Sequence, residues 1–343
     1  MTTELAQAEP IIETAYTGDT PWADHGVRLD NVRTAAEAVQ AAHLDWTVEG
    51  KEIYSDGKVL PGYQAIQRQD TGEFLAVMSE RYEIFQNENS WTWMDTVLKD
   101  TSAEYHTAGS LKGGRVVFIL AKMDETHEIV KDDPVEKYLL LTTSHDGSIS
   151  LGMHVTPIRF KCGNTMTAAI NAGLQYVSIK HTASIHRRLE QASKALAAGE
   201  TYFNGMISMM RSLADTSMSD QGMAEFTKAV LRINPNKDGK VNSQTELAER
   251  EINELFTMGR GQDNPLVRGT AWAAMNAVTE YIDYRSRVQK LRGASQGSFQ
   301  AQDRRLHRSW FGRGQITRNR AMSLLQEYQI VGREAFAPVL MRV

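Results

Sequence analysis

The stretch that decides the fold spans residues 136–162 and has the sequence EKYLLLTTSHDGSISLGMHVTPIRFKC. Tyr138 to Thr142 form an apolar run typical of a buried strand, and the pair Asp146-Gly147 favours a tight turn. After the turn, apolar residues alternate with small or polar ones from Ile149 to Val155, as in a strand with one buried face. The stretch therefore predicts a β-hairpin at the centre of an antiparallel sheet.

The apolar parity of the second strand changes beyond Pro157, where Ile158 and Phe160 become the apolar positions. A proline inside a strand is typical of a bulge or a corner. We therefore expect Arg159 and Lys161 to face away from the core.

Segments before the hairpin predict further strands and helices. Residues 34–43 have high helix propensity, and Asn87 is placed to cap a second helix. Strands separated by turn residues are expected at 51–55, 62–68, 74–78, 105–111 and 115–121. The first 22 residues lack periodicity and predict a flexible arm before a sheet-rich core over residues 23–181.

Segments after the hairpin predict mainly helices. In a helical region over residues 182–292, Ser243 and Glu246 form a capping box, and apolar positions around Trp272 mark a long helix. A polar linker and an Arg-rich tail are expected over residues 293–343. The predicted fold is α+β: an antiparallel sheet with packed helices, followed by a helical C-terminal region.

The composition of the 343 residues, 41% hydrophobic and 23% charged, is that of a globular protein with a sizeable core. No apolar run approaches the roughly 18 residues of a membrane span, and the acidic opening residues lack the pattern of a secretory signal. The single cysteine, Cys162, excludes an internal disulfide and fits a reducing compartment. We expect a cytoplasmic protein without a membrane partner.

The charges are divided unevenly along the chain. Residues 1–150 carry 12 Lys and Arg against 26 Asp and Glu, a net charge of −14. Residues 151–343 carry 26 against 16, a net charge of +10. The second part is expected to present an electropositive surface that attracts polyanions, and the division favours head-to-tail assembly into a homo-oligomer.

Short segments in a fixed order over roughly residues 25–290 resemble a known family. The segments are Leu44-Asp45-Trp46, Pro61-Gly62-Tyr63, Arg81-Tyr82 with Gln86-Asn87-Glu88, Thr107-Ala108-Gly109-Ser110-Leu111 with Gly113-Gly114-Arg115, Thr143-Ser144-His145-Asp146-Gly147-Ser148, Thr156-Pro157-Ile158-Arg159 with Cys162 and Asn164-Thr165, and Asn276-Ala277-Val278-Thr279-Glu280-Tyr281. They resemble the phage- and plasmid-like proteins grouped as domain of unknown function 932. The resemblance implies a role in phage or plasmid DNA metabolism in the cytoplasm of a bacterial host. The core of this family is also remotely similar to that of Rad-fifty-two-type annealing proteins, which form rings and bind single-stranded DNA.

Basic residues without acidic neighbours mark a candidate nucleic-acid interface, because cations bind phosphates and an aromatic ring can stack on a base. Residues 151–189 contain no Asp or Glu. The predicted contacts there are Arg159, Lys161, Tyr176, Lys180, Arg187 and Arg188. The tail adds Arg304, Arg305 and Arg308, and a glycine-rich turn brings Lys112 and Arg115 near a phosphate. Alternatively, these cations pair with the acidic first part, and the tail docks on a neighbouring subunit.

Three patterns suggest catalysis or metal binding, and none of them is complete. Ser144, His145 and Asp146 are the residue types of a catalytic triad, but adjacent strand residues point to opposite faces and a turn explains them better. His145 and His154 lack a third metal ligand at a recognisable spacing, and residues 234–239 begin like a calcium loop that lacks its glutamate. We expect no catalytic residue, no metal and no cofactor.

The expected function is therefore binding of single-stranded DNA in phage or plasmid recombination or replication, with annealing of complementary strands as a further expectation. A phage or plasmid assembly or protein-interaction factor without DNA binding is the alternative. An enzyme that processes nucleic acid ranks third.

Overall fold

A computed structural model describes residues 14–16, 27–28, 32, 34–99, 101–159, 177–179, 196–233, 241–286, 304 and 307–337. The strands are β1 (Thr14–Tyr16), β2 (Val27–Arg28), β3 (Val48–Ser55), β4 (Lys58–Arg68), β5 (Phe74–Ser79), β6 (Glu104–Leu111), β7 (Val116–Glu128), β8 (Pro134–Ser144), β9 (Leu151–Arg159) and β10 (Val177–Ile179). The α-helices are α1 (Ala35–Ala41), α2 (Asn87–Leu98), α3 (Leu196–Ala214), α4 (Asp220–Leu231), α5 (Ser243–Met258), α6 (Ala271–Glu280) and α7 (Arg313–Val331). A π-helical turn (Tyr281–Arg285) follows α6, and a 3₁₀ helix (Gly332–Phe336) follows α7. The predicted α+β class is confirmed.

The strands form two sheets. The larger has the order β10-β9-β8-β7-β6-β1-β2 and is antiparallel except for the β1–β2 pair, and β3-β4-β5 form a separate antiparallel sheet. The predicted central hairpin is confirmed, with Leu141 of β8 opposite Met153 of β9. Thr14–Tyr16 pairs with β6, which corrects the prediction of a flexible arm for these residues.

The prediction of a bulge at Pro157 is wrong. Strand β9 pairs with β8 without a register shift, and Pro157 lies opposite Lys137 in a continuous ladder. Met153 and Val155 pack on the helical side of the sheet, whereas Ile158 packs with Trp310 on the other side. The apolar parity changes because both faces of β9 are covered, as in a doubly buried strand.

The tail packs into the protein core. The side chains of Leu324 and Leu325 in α7, and of Phe336 after it, are buried in the main hydrophobic cluster. Trp310 lies across the opposite face of the sheet with its ring 4.8 Å from that of Phe118. Residues 307–337 are therefore part of the folded core, which corrects their prediction as a separate Arg-rich tail.

Polar side chains fix the helix ends at positions near those predicted. Thr34 and Glu37 form a capping box at α1. Helix α5 is capped by Asn242, one residue before the predicted Ser243. Within the described ranges, no helix is long and apolar enough to cross a membrane.

Candidate nucleic-acid interface

The tight turn between β6 and β7 carries two of the predicted cations. Lys112, Gly113 and Gly114 all have positive φ angles, of 56°, 66° and 91°, and glycine adopts such angles without steric cost. The Arg115 guanidinium donates to the backbone oxygens of Leu75 at 2.7 Å and Phe74 at 3.1 Å. These bonds fasten the turn to the start of β5.

Phe74 gives this part of the surface an aromatic ring. Its side chain is 57% exposed although it is large and apolar. The guanidinium of Arg115 donates to the backbone oxygen of the same residue. The pair combines an exposed ring with a positive charge, as single-strand binding requires.

A buried stack of side chains supports the turn from below. A Cβ atom at Gly114 would lie 3.2 Å from the Trp46 ring and 3.1 Å from Arg68, so only glycine fits there without displacing them. The Arg68 guanidinium lies 4.2 Å from the centre of the Trp46 ring, a cation–π contact. On the same ring, His145 packs with its centroid 5.3 Å away.

Asn87 holds His145 in this stack. The Nε2 atom of His145 lies 2.9 Å from Asn87 Oδ1, and Asn87 Nδ2 donates to the backbone oxygens of Leu44 and Trp46. The N-cap of α2 is Gln86, so the prediction that Asn87 caps this helix is wrong. Asn87 instead links three segments that are distant in sequence.

The C-terminal part of the chain reaches the same turn at His307. Burial is the main cause that lowers the pKa of His307 to about 4, and Lys112 lowers it further while Asp146 opposes the shift. These charge interactions place His307 near the β6–β7 and β8–β9 turns. Arg308, a predicted contact, follows directly in sequence. We call Phe74, Lys112, Arg115, His307 and Arg308 the turn surface.

The prediction that Arg159 faces outward is wrong. Its side chain is 0% exposed and its Nε donates to Asp133 Oδ1 at 2.5 Å. Trp272 Nε1 donates to Asp133 Oδ2 at 2.8 Å, so both oxygens of the carboxylate accept a hydrogen bond. This arginine thus pairs with the acidic first part of the chain, as the alternative interpretation expects.

The remaining predicted contacts divide into two groups. Lys161, Tyr176, Lys180, Arg187, Arg188 and Arg305 lie outside the described residues. Arg304 is half-buried and helical. Two further tail arginines have internal partners, since Arg318 pairs with buried Asp283 and Arg320 donates to Val230 O.

The three triad-type residues have separate partners. Ser144 Oγ donates to Ile149 O, His145 contacts Asn87, and Asp146 Oδ1 accepts from the backbone of Ser148. Among the described residues, no group of three or more His, Cys, Asp or Glu side chains is placed to hold a metal ion.

Sequence reasoning did not identify Phe74, His307 or the supporting Arg68 as members of one site. The family resemblance was the one feature of the sequence that pointed to this site. Its segments include Trp46, Asn87, Gly114, Arg115 and His145. Phe74 carries no signal of its own, because an aromatic residue in a strand usually packs in the core.

The fold and the turn surface define an α+β chain in which four of the family segments, those of Trp46, Asn87, Gly114 and His145, meet at one turn. The sequence model of the family described as Domain of unknown function (DUF932) matches residues 74–321, and the chain belongs to this family. No curated protein and no solved structure matches the chain.

Proposed function

We propose that the chain binds single-stranded nucleic acid at the turn surface. The observation that supports this most directly is the Arg115 guanidinium bound to the backbone of exposed Phe74. Lys112 belongs to the same turn, and Arg308 directly follows His307, on whose pKa Lys112 acts. The site therefore combines segments that are distant in sequence.

Each group has a role in this proposal. Lys112 and Arg308 neutralise phosphates, and Phe74 stacks on an unpaired base, which a duplex does not offer. Arg115 holds the backbone of the residue that carries the ring. His307, with its pKa near 4, is neutral at pH 7 and contributes a hydrogen bond instead of a charge.

Acidic residues limit how positive this surface is. Glu73 approaches Gly113, and Asp146 interacts with His307. We therefore expect stacking to contribute more than charge to the affinity. The salt dependence should follow the phosphates contacted, with a slope of about −0.7 for each on a single strand.

A role in phage or plasmid recombination or replication, including annealing of complementary strands, extends the same proposal. It is supported by the family resemblance and by the sequence-tolerant chemistry of the turn surface. An annealing protein needs to hold bases unpaired and accessible, and stacking on one exposed ring leaves their pairing edges free.

Fluorescence anisotropy with labelled oligothymidine and with a duplex of equal length tests the binding. Phe74→Ala should weaken single-strand binding roughly 5- to 150-fold, the effect of about 1–3 kcal/mol for one stacked base. Val77→Ala is the matched control, because Val77 is equally exposed on the same strand. Equal affinities for the two variants would contradict the proposal.

A second pair of variants tests the charge. Lys112→Ala removes a partner of one phosphate. The slope of log affinity against log salt concentration should therefore become less negative by about 0.7. Lys228→Ala removes an exposed cation on α4 and should leave the slope unchanged. A protein that binds neither strand form, or prefers the duplex, would overturn the proposed function.

A further inference from the structure

Helix α4 ends in a left-handed turn in which an arginine occupies the position typical of glycine. Arg232 has φ and ψ angles of 53° and 54°, and its backbone N–H donates to Ala229 O. The N–H of Ile233 donates to Lys228 O, which completes the Schellman motif of a helix end. Glycine is usual at the left-handed position of this motif, because a side chain there is sterically unfavourable. The turn is therefore less stable with Arg232 than it would be with glycine.

Arg320 of α7 reaches the same end of α4. Its Nη1 atom donates to Val230 O at 2.6 Å, and Val230 lies two residues before Arg232. This bond uses one of the five N–H groups that a guanidinium carries. In the described part of the chain, the guanidinium of Arg320 makes no other hydrogen bond and no ion pair. The bond therefore fixes the position of the group and leaves most of its donors available.

The guanidinium groups of Arg232 and Arg320 repel each other. Burial is the main cause that lowers the pKa of Arg320, and the positive charge of Arg232 lowers it further. Arg232 is exposed, and among the described residues neither arginine pairs with a carboxylate. Lys228, one turn earlier, lies 3.9 Å from Glu249, so that carboxylate has a cation of its own. The end of α4 is left with two positive charges that no described side chain balances.

The dipole of α4 explains one of these arginines and not the other. A cation is favourable near the last carbonyl groups of a helix, and Arg320 provides it by binding Val230 O. A glycine in place of Arg232 would make the same backbone hydrogen bonds without the strained φ angle and without the repulsion. Local strain with no internal compensation is typical of a position that serves a ligand.

We propose that Arg232 and Arg320 form a phosphate-binding site at the C-terminal end of α4. The planar guanidinium group matches the oxygens of phosphate, and a bound anion would balance the two charges. Arg320 also lies between such an anion and the carbonyl group of Val230, which would otherwise repel it. Two sources share this chemistry, the backbone of a nucleic-acid strand and a free phosphate compound. The site shares no residue with the turn surface.

Isothermal titration calorimetry of the full-length protein with pyrophosphate tests the site. Arg232→Gln should weaken binding roughly 10- to 150-fold, the effect of losing one hydrogen bond between charged groups. Arg313→Gln is the matched control, because it removes an exposed cation from α7 about 10 Å along the helix axis from Arg320. This control should bind pyrophosphate like the wild type. A wild type that does not bind, or equal losses in the two variants, would overturn the proposal.

Arg232→Gly distinguishes a ligand site from a structural role. In phosphate-free buffer this variant should have a higher urea midpoint than the wild type, because glycine relieves both the backbone strain and the repulsion. Pyrophosphate should raise the midpoint of the wild type and leave that of the glycine variant unchanged, since only a bound ligand stabilises the folded state. A lower midpoint for Arg232→Gly without ligand would mean that this arginine serves the fold, and would contradict the proposal.

Fluorescence anisotropy with labelled oligothymidine identifies the source of the phosphate. Weaker binding of both oligothymidine and pyrophosphate by Arg232→Gln would support the site and indicate a nucleic-acid backbone. Weaker binding of pyrophosphate alone would support the site and indicate a free phosphate compound. Phe74→Ala, which tests the turn surface, should bind pyrophosphate like the wild type. Failure of this proposal is therefore distinguishable from failure of the proposed function.

Discussion

Arg159 and Asp133 form an ion pair from which solvent is excluded, with neither side chain more than 1% exposed. Asp133 precedes β8 and Arg159 ends β9, so the pair closes one end of the central hairpin. Trp272 of α6 binds the same carboxylate, and Arg159 Nη1 donates to Arg260 O at 3.3 Å. The pair therefore fastens the sheet to the helices and is unavailable to a phosphate in this fold.

Arg159→Met should destabilise the protein by about 3–5 kcal/mol, because it leaves the Asp133 carboxylate buried without its cation. Urea denaturation measures the free energy of unfolding. Arg211→Met is the control, since Arg211 is exposed and donates to the single backbone oxygen of Glu128; its change should stay within about 0.5 kcal/mol. Equal stability of the two variants would show that the buried pair does not form.

Leu325→Ala tests whether the Arg-rich segment belongs to the core. Leu325 of α7 is 0% exposed, and its truncation should cost about 2–5 kcal/mol of unfolding free energy. Ser323 is exposed on the same helix, and Ser323→Ala should cost almost nothing. A loosely attached tail would give small effects for both variants in urea denaturation.

Sequence patterns predicted the strands and helices because local periodicity determines them. The hairpin around Asp146-Gly147 and the meander of β3, β4 and β5 follow from alternation and turn residues alone. Periodicity does not reveal how many faces of a strand are covered. Arg159 was therefore expected at the surface, although α6 covers its side of β9.

The candidate site was harder to predict because its members are distant in sequence. Arg115 binds the backbone of Phe74, 41 residues earlier, and His307 reaches the turn from nearly 200 residues away. The net positive charge of the tail also suggested an exposed basic surface, although one of the residues that contribute to it is Arg318. Its charge is balanced by Asp283, 35 residues away, which only the folded chain shows.

The stability of the protein should fall as the pH drops from about 6.5 towards 4. Burial lowers the pKa of His154 to about 4, so the unfolded chain takes up a proton in this window while the folded chain does not. From the two pKa values, His154 alone should cost roughly 2 kcal/mol at pH 5 relative to pH 7. His106 has a pKa lowered to about 4 by burial and acts in the same direction.

His154→Met removes one of these titrations and should make the fall in stability shallower by about that amount. Denaturation in urea at pH 7 and at pH 5 measures the difference for both proteins. A variant with the same pH dependence as the wild type would show that His154 is protonated as readily in the folded chain as in the unfolded one.

Gly114→Ala should both destabilise the protein and weaken single-strand binding. The φ angle of +91° costs a non-glycine residue about 1–2 kcal/mol. The new Cβ also presses on the Trp46 ring at 3.2 Å, and that ring contacts both Arg68 and His145. We expect the turn to shift and to carry Lys112 and Arg115 away from Phe74.

Gly62→Ala separates these two effects, because Gly62 has a similar φ of +84° with open space where its Cβ would lie. Both variants bear the backbone cost in urea denaturation, and the excess for Gly114→Ala measures the contact with Trp46. In the anisotropy assay, only Gly114→Ala should lose affinity for oligothymidine, since Gly62 lies outside the turn surface. Equal stability and equal affinity would mean that the stack beneath the turn does not position it.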